Sequence, residues 1–250
     1  MSLENLQRKT SPQPWPPAGV KWFYSDKWTA IACGDCREIL PSLDVKVDLV
    51  LTDPPYNVGK DYGIHNDSML PNDYAEWASE CMRLCLEKAP NQFWVAPRYK
   101  LGLWFSLLPD AHLITIRRGA AGPFRGGWSD QFEIALAVGK PNKCTSDLWD
   151  NIRLKGEGYF FREETYGHPG YTPLPIMERA VALLSKSSVL DPFLGTGTTC
   201  YCAKKLNRYS IGIEIEEKYC EIAAKRCIQE SFEFDNIDAN NIASKQQPML

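Results

Sequence analysis

Ser188-Val189-Leu190-Asp191-Pro192-Phe193-Leu194-Gly195-Thr196-Gly197-Thr198-Thr199 reads as three pieces of local structure in a row: an apolar strand, a glycine turn and the start of a helix. The strand ends on an acid. Gly195 and Gly197 let the turn come close to a ligand, and the helix start offers backbone N–H groups with no intrahelical acceptor. The next β-rich run, Ile211-Gly212-Ile213-Glu214-Ile215, carries a carboxylate where a doubly wound sheet can reach ribose hydroxyls. Strand, glycine turn, helix, strand and acid in this order describe a nucleoside pocket, and the missing third glycine argues against a dinucleotide fingerprint.

Outward from that stretch, short β-rich runs alternate with helical patterns. Strands are expected at Thr29–Cys33, Val47–Thr52, Gln92–Ala96, His112–Arg117, Phe132–Val138, Ser188–Asp191 and Ser210–Ile215. Helices are expected at Asp73–Lys88, Tyr99–Leu107, Leu174–Lys186, Thr198–Asn207 and Glu217–Gln229. The stripe Ile176, Met177, Ala180, Val181, Leu183 and Leu184 marks a core-facing helix. This alternation predicts an α/β fold, a mostly parallel twisted sheet with helices on both faces. Residues 1–21, with four prolines from Pro12 to Pro17, read as a flexible lead-in, residues 22–231 as the domain and residues 232–250 as a polar, flexible tail. Residues 119–167 break the rhythm, which suits a small irregular insertion for recognition.

The 250 residues are 44% apolar and 24% charged, which excludes wholesale disorder and suits one soluble domain. No run is apolar enough for a membrane span or a secretory signal, so a cytoplasmic protein is expected. Nine cysteines without such a signal read as free thiols. Cys33 and Cys36 form a C-x-x-C with no second pair at zinc spacing, so no metal is expected, and Cys81 and Cys85 read as small apolar core groups. The net charge of −3 announces no polyanion partner. Locally, Ala111–Ser129 carries Arg117, Arg118 and Arg125 with no acid, a cationic strip that can meet phosphates or simply a solvated face.

A second motif, Asp53-Pro54-Pro55-Tyr56, directly follows the apolar run Val47–Thr52. Proline cannot extend a ladder, so the chain leaves the sheet here in a stiff turn at the edge where open α/β folds bind ligands. Asp53 and the Pro54 carbonyl can each accept a hydrogen bond from an amino group, and Tyr56 can stack on a planar ring. Alone, P-P-Y is a rigid surface turn; beside the glycine motif it reads as half of a site.

Together these residues resemble the S-adenosylmethionine-dependent amino-DNA methyltransferases of the circularly permuted β group, in which D-P-P-Y comes first and D-P-F-x-G-x-G-T-T late. The resemblance also takes in Gly34-Asp35 with Leu40 and Leu43, Asn57 to Lys60, His168-Pro169 with Pro173-Leu174, and Ile211 to Glu214, over roughly Ile31 to Glu230. It implies a Rossmann-like methyltransferase fold, S-adenosylmethionine as cofactor and double-stranded DNA as partner, with base flipping and a restriction–modification setting; a homodimer is left open. It implies catalysis by Asp53, Pro54, Pro55 and Tyr56. Asp191, Phe193, Gly195, Gly197 and Thr198 would line the cofactor, Glu214 would meet its ribose and Asp35 its adenine edge. Arg117, Arg118 and Arg125 are the candidate DNA contacts. The family often reads H-P-T-Q-K-P before the cofactor strand, whereas this chain has Thr172 at the lysine position, a hydroxyl in place of a cation. Aspartate at the head of the tetrapeptide resembles N6-adenine members; N4-cytosine is the alternative, and a catalytically silent nucleic-acid-binding fold is the alternative of another class.

Overall fold

The structure, a computed structural model, describes residues 15–117, 124–125, 128–129, 131–150 and 174–228. Arg118, Thr172, about half of the 119–167 insertion and the 232–250 tail lie outside the described residues. Thirteen strands are described: β1 Tyr24–Ser25, β2 Thr29–Cys33, β3 Leu49–Thr52, β4 Asp61–Tyr62, β5 His65–Asn66, β6 Asn91–Ala96, β7 His112–Arg117, β8 Phe124–Arg125, β9 Trp128–Ser129, β10 Phe132–Val138, β11 Leu148–Trp149, β12 Ser188–Asp191 and β13 Tyr209–Glu214. The helices are α1 Cys36–Ser42, α2 Pro71–Leu86, α3 Leu101–Leu107, α4 Leu174–Leu184, α5 Thr198–Lys205 and α6 over residues 217–228.

Nine strands form one sheet in the order β1-β2-β13-β12-β3-β6-β10-β7-β11, and β4-β5 and β8-β9 are separate hairpin pairs. The five central strands β2, β13, β12, β3 and β6 run parallel. β10 runs against both its neighbours, so the sheet is mixed at that side. All four residues of β3 and of β12 are buried, as in strands covered on both faces. The pleat divides them: Val50 and Leu190 face α1, α2 and α3 with Trp94 and Trp104, while Leu49, Leu51 and Val189 face α4 and α5. Among the described residues no helix is long and apolar enough to cross a membrane.

In α2, Pro71 fills the first turn, where its missing N–H costs nothing, and Tyr74, Trp77, Ala78, Cys81, Met82 and Cys85 bury one face. Two sequence expectations change. α1 is absent from the expected helices, because C-x-x-C and Pro41 hide a seven-residue helix; Asp35 caps it by accepting from the Arg37 N–H at 2.9 Å. Residues 15–21, expected outside the fold, lie against it: Trp15 donates to the Asp26 carbonyl at 2.9 Å and its ring meets Tyr209, while Val20 and Trp22 pack on the core. A tryptophan buries enough apolar area to hold a proline-rich segment in place.

Candidate active site

The ends of β3 and β12 are fastened together at both edges of the sheet. At their start, Asp48 accepts from the N–H groups of Ser187 and Ser188 and from the Ser187 hydroxyl. Burial works against its charge, but these N–H groups outweigh it and hold the Asp48 carboxyl below its ordinary range. At the other end, Thr52 donates to Asp191 Oδ1 at 2.6 Å, and Asp191 also accepts from the Phe193 N–H at 3.1 Å. Thr52 is the last residue before the D-P-P-Y turn and Asp191 the last before the glycine turn. The two motifs therefore leave adjacent strand tips on the same side of the sheet.

A cavity of about 750 Å³ opens between them. Its wall includes Asp53, Pro54, Pro55 and Tyr56 from one motif, Asp191, Phe193, Gly195 and Thr198 from the other, and Asp35 and Glu214 from the tips of β2 and β13. Tyr74 on α2 donates to the Pro55 carbonyl at 2.9 Å and so fixes the tetrapeptide against the core. Burial, then the charges of Asp53 and Glu133, push the Tyr56 phenol well above its ordinary range, so its hydroxyl stays protonated. Glu133, on β10, also lines the cavity.

Two acids of the cavity wall are unusual. Burial raises the Asp191 carboxyl to about 6 despite its hydrogen bonds. Burial likewise raises Glu214 to about 7, although Oε2 accepts from Gly195 N at 2.7 Å and Oε1 from Glu216 N at 2.9 Å. Two carboxyls kept out of water at one wall suit a cationic ligand, whose charge would restore the ionised forms.

Not every expected residue meets the cavity. Gly197 does not line it: at φ 86° it caps α5, and a Cβ there would lie 2.7 Å from the Ala223 Cβ on α6. Its smallness serves helix packing. Asp35 lines the cavity, yet it is gripped by Arg37, with Nη2 2.6 Å from Oδ2 and Nε within 3.2 Å of both oxygens. Arg117 ends β7 and is exposed. Arg125 sits in β8, and its side chain is outside the described residues, as is Arg118. Cys36, Cys81 and Cys85 are buried, as small core groups are expected to be. Among the described residues no cluster of three metal-ligating groups occurs.

Three contributors escape sequence reading. Arg226 on α6 is buried and donates to the Thr196 carbonyl at 2.8 Å and to Thr198 Oγ1 at 3.2 Å, bracing the glycine turn from behind. Asp67 accepts from the N–H groups of Asn57, Val58 and Lys60 at 2.7 to 3.0 Å, knotting the loop after Tyr56. His65, in the β4–β5 hairpin of that loop, lines the cavity and packs on Trp77 with ring centroids 5.1 Å apart. Only the loop after Tyr56 carried a signal, as the Asn57 to Lys60 part of the family resemblance.

Comparison with known proteins agrees with this geometry. Residues 130–225 match a family profile, N6_N4_Mtase, described as DNA methylase. The type II methyltransferase M.HpaI of Haemophilus parainfluenzae is 29% identical over 246 residues, covering 83% of this chain and 77% of that protein. The type II methyltransferase M.ScaI of Streptomyces caespitosus is 27% identical over 82% of this chain and 83% of its own length. Among solved structures, the M1.HpyAVI–SAM complex superposes with a TM-score of 0.59 at 25% identity over 79% of this chain and 98% of that one. The cytosine-N4-specific PvuII DNA methyltransferase superposes with a TM-score of 0.64 at 16% identity over 83% and 89%, a likeness of fold. The fold is the Rossmann-like one of DNA methyltransferases, and profile, relatives and site together support an amino-DNA methyltransferase.

Proposed function

We propose that this protein transfers a methyl group from S-adenosylmethionine to the exocyclic N6 of an adenine flipped out of double-stranded DNA. The observation that carries the reading is the Thr52–Asp191 bond, which sets the D-P-P-Y turn and the glycine turn at neighbouring strand tips around one cavity. The residues present fit the cofactor. A cavity of about 750 Å³ has room for it beside a base, and the buried Asp191 and Glu214 complement a cation. Thr198, Gly195 and Glu214 would hold it, with Thr172 in place of the usual lysine. When bound, S-adenosylmethionine supplies an electrophilic methyl on a sulfonium.

The protein's task is to prepare the amine. Its lone pair is delocalised into the ring and is a poor nucleophile until the nitrogen pyramidalises. Asp53 and the Pro54 carbonyl, each accepting one amino hydrogen, favour that geometry and aim the lone pair at the cofactor side. Pro54 and Pro55 make the turn rigid, and Tyr74 holds it from below through the Pro55 carbonyl. Tyr56 offers a face for the extruded base, and such stacking is worth about 1–3 kcal/mol against the cost of flipping. Asp53 need not be strongly basic beforehand, since the nitrogen becomes acidic once methylated and its proton can then leave. Arg117, Arg118 and Arg125 would meet the DNA backbone or base edges around the flipped nucleotide.

The preference for adenine rests on aspartate at the head of the tetrapeptide. Mass spectrometry of nucleosides from DNA of cells expressing the protein tests it: N6-methyladenine is expected, and its absence from cells expressing Asp53→Ala as well. N4-methylcytosine would move the target to cytosine. No product from a protein that binds both cofactor and DNA would favour a silent binding fold.

A further inference from the structure

β6 stands beside β3 in the sheet, and the chain leaves it by the same device: Pro97 follows Ala96, ends the ladder and opens a 3-10 turn, Arg98–Lys100. Because β3 and β6 are parallel, this turn emerges at the end of the sheet that carries D-P-P-Y. β10 runs against both β6 and β7, so its first residue, Phe132, and the last residue of β7, Arg117, reach that end too, where they are Cα partners. Carried two residues past the pair Ile134 and Ala96, the same register sets Phe132 opposite Arg98. Three neighbouring strands thus deliver Arg98, Phe132 and Arg117 in a row.

The side chains fill in this row. The Arg98 guanidinium lies 5.1 Å from the centroid of the Phe132 ring and 6.0 Å from that of Tyr99, within range of a cation–π attraction. A ring holds a guanidinium by its face, which leaves the in-plane N–H groups directed outward. On the other side, Lys100 Nζ lies 5.0 Å from the centroid of Tyr74, whose hydroxyl donates to the Pro55 carbonyl, so the row ends beside the D-P-P-Y turn. Solvent reaches it: Tyr99 is 56% and Phe132 41% exposed, Arg117 is exposed, and Arg98 and Lys100 are partly so. Residues 89–109 contain no acid. Glu133 follows Phe132 directly, but it shares the parity of Ala135 and Ala137 and so faces α4, whereas Phe132 stands with Ile134 and Leu136 on the opposite face.

We infer that Lys100, Arg98 and Arg117 form a track for the DNA backbone, with Phe132 as the platform that holds the Arg98 guanidinium ready for a phosphate. The inference rests on the reading of this protein as a DNA methyltransferase and adds a surface to it, since residues 98–100 lie outside the cationic strip read from the sequence. Charge selects the occupant. Three cations at one end of the sheet favour a polyanion, which gains from each of them by releasing its counterions. On the proposed function, a nucleotide that reaches D-P-P-Y stays joined to its strand, so the backbone must pass close to the turn beside which Lys100 stands.

The test is the fluorescence anisotropy of a labelled duplex of mixed sequence, titrated with the full-length protein from about 50 to about 200 mM salt. Arg98→Gln keeps the stem over the ring and removes the charge; the slope of log affinity against log salt should shrink by about 0.9, with binding about tenfold weaker at low salt. Arg98→Lys keeps the charge and should keep the slope, an outcome that a packing role does not give. Adding Lys100→Gln to Arg98→Gln should bring the loss of slope to about 1.8. Phe132→Ala should weaken binding about two- to fivefold in the wild-type background and add nothing to Arg98→Gln, because its effect passes through Arg98. Calorimetric affinity for S-adenosylhomocysteine should be unchanged in Arg98→Gln. A wild-type salt slope in that variant overturns the inference, and a shift in its oligomeric state at the same time would give this face to a second copy of the chain. A wild type that neither binds the duplex at low salt nor leaves a methylated base in the DNA of expressing cells overturns the methyltransferase reading beneath it, so the two failures are distinct.

Discussion

Thr52 and Asp191, far apart in sequence, share a 2.6 Å hydrogen bond in which the threonine hydroxyl donates to Oδ1. Both are buried, and each immediately precedes one of the two motifs. Thr52→Val keeps the shape and removes the donor, leaving the Asp191 carboxyl one partner poorer in a dry place, at a cost of about 1–3 kcal/mol. A lower melting temperature and weaker S-adenosylmethionine binding are expected together, read by thermal denaturation and calorimetry. Wild-type values for both would deny this bond its part in the site.

Acidity offers a second measurement. Burial raises Asp191 to about 6 and Glu214 to about 7, from 3.8 and 4.5. The unfolded chain releases these two protons first, so over that range the folded protein holds more of them; the contribution of both groups to stability falls as pH rises and is level above about 7. Binding of a cationic cofactor has the opposite sign, since it favours the ionised carboxylates. Affinity for S-adenosylmethionine should therefore increase as pH rises from about 5 to about 7 and then level off. A calorimetric affinity that is constant over this range would mean that neither acid faces the ligand's charge.

Gly197 calls for a different experiment from the one its motif suggests. Its φ of 86° disfavours any side chain, and a Cβ would press on Ala223 of α6 at 2.7 Å. Gly197→Ala is expected to destabilise the fold by about 1–3 kcal/mol through strain and overpacking. Adding Ala223→Gly should return part of the lost melting temperature by making room. If the pair melts no higher than Gly197→Ala alone, the packing against α6 is not what the glycine protects.

The strands β2, β7, β10 and β12 were legible to the residue, because fully or largely apolar runs bounded by turn residues have few other readings. The turn at Asp53-Pro54-Pro55-Tyr56 was legible because two prolines after such a run force the chain off the sheet. α1 was not, since its start depends on Asp35 capping rather than on a long apolar stripe, and Pro41 near its end disguises it. Trp15 looked like part of a loose leader because its partners, Asp26 and Tyr209, belong to other elements. His65 and Arg226 were invisible for the same reason: a ring packed on another element or a brace behind a turn exists only once distant segments meet.

Arg226 illustrates this most directly. Its guanidinium reaches the Thr196 carbonyl and both threonine hydroxyls of the glycine turn from the last described helix. Because Thr198 Oγ1 accepts from Arg226, its own proton is left to donate elsewhere, and Thr198 lines the cavity. Arg226→Met should weaken S-adenosylmethionine binding by about tenfold or more, the worth of a charge-assisted bond, and lower the melting temperature. In methyl-transfer kinetics the KM for S-adenosylmethionine should rise with kcat little changed, and Arg226→Lys should recover part of the loss. A fall in kcat alone would place the effect of Arg226 on the chemistry instead of the turn.

Of the three arginines that the sequence marks as candidate DNA contacts, Arg117 is the one whose side chain falls within the described residues. It ends β7 exposed, opposite Phe132 on β10, and the residue after Phe132 is Glu133, which lines the cavity near Tyr56. The cation therefore stands at the same end of the sheet as the two motifs, where, on the proposed function, the phosphates flanking a flipped base would pass. Every phosphate that goes without its cation should reduce the slope of log affinity against log salt by about 0.9, so Arg117→Glu with Arg118→Glu should weaken DNA binding and flatten that slope by about 1 to 2. Because Asp191 and Glu214 lie on the other side of the tetrapeptide, cofactor affinity should be unchanged in the same variant. A wild-type salt slope would move the DNA surface away from the end of β7.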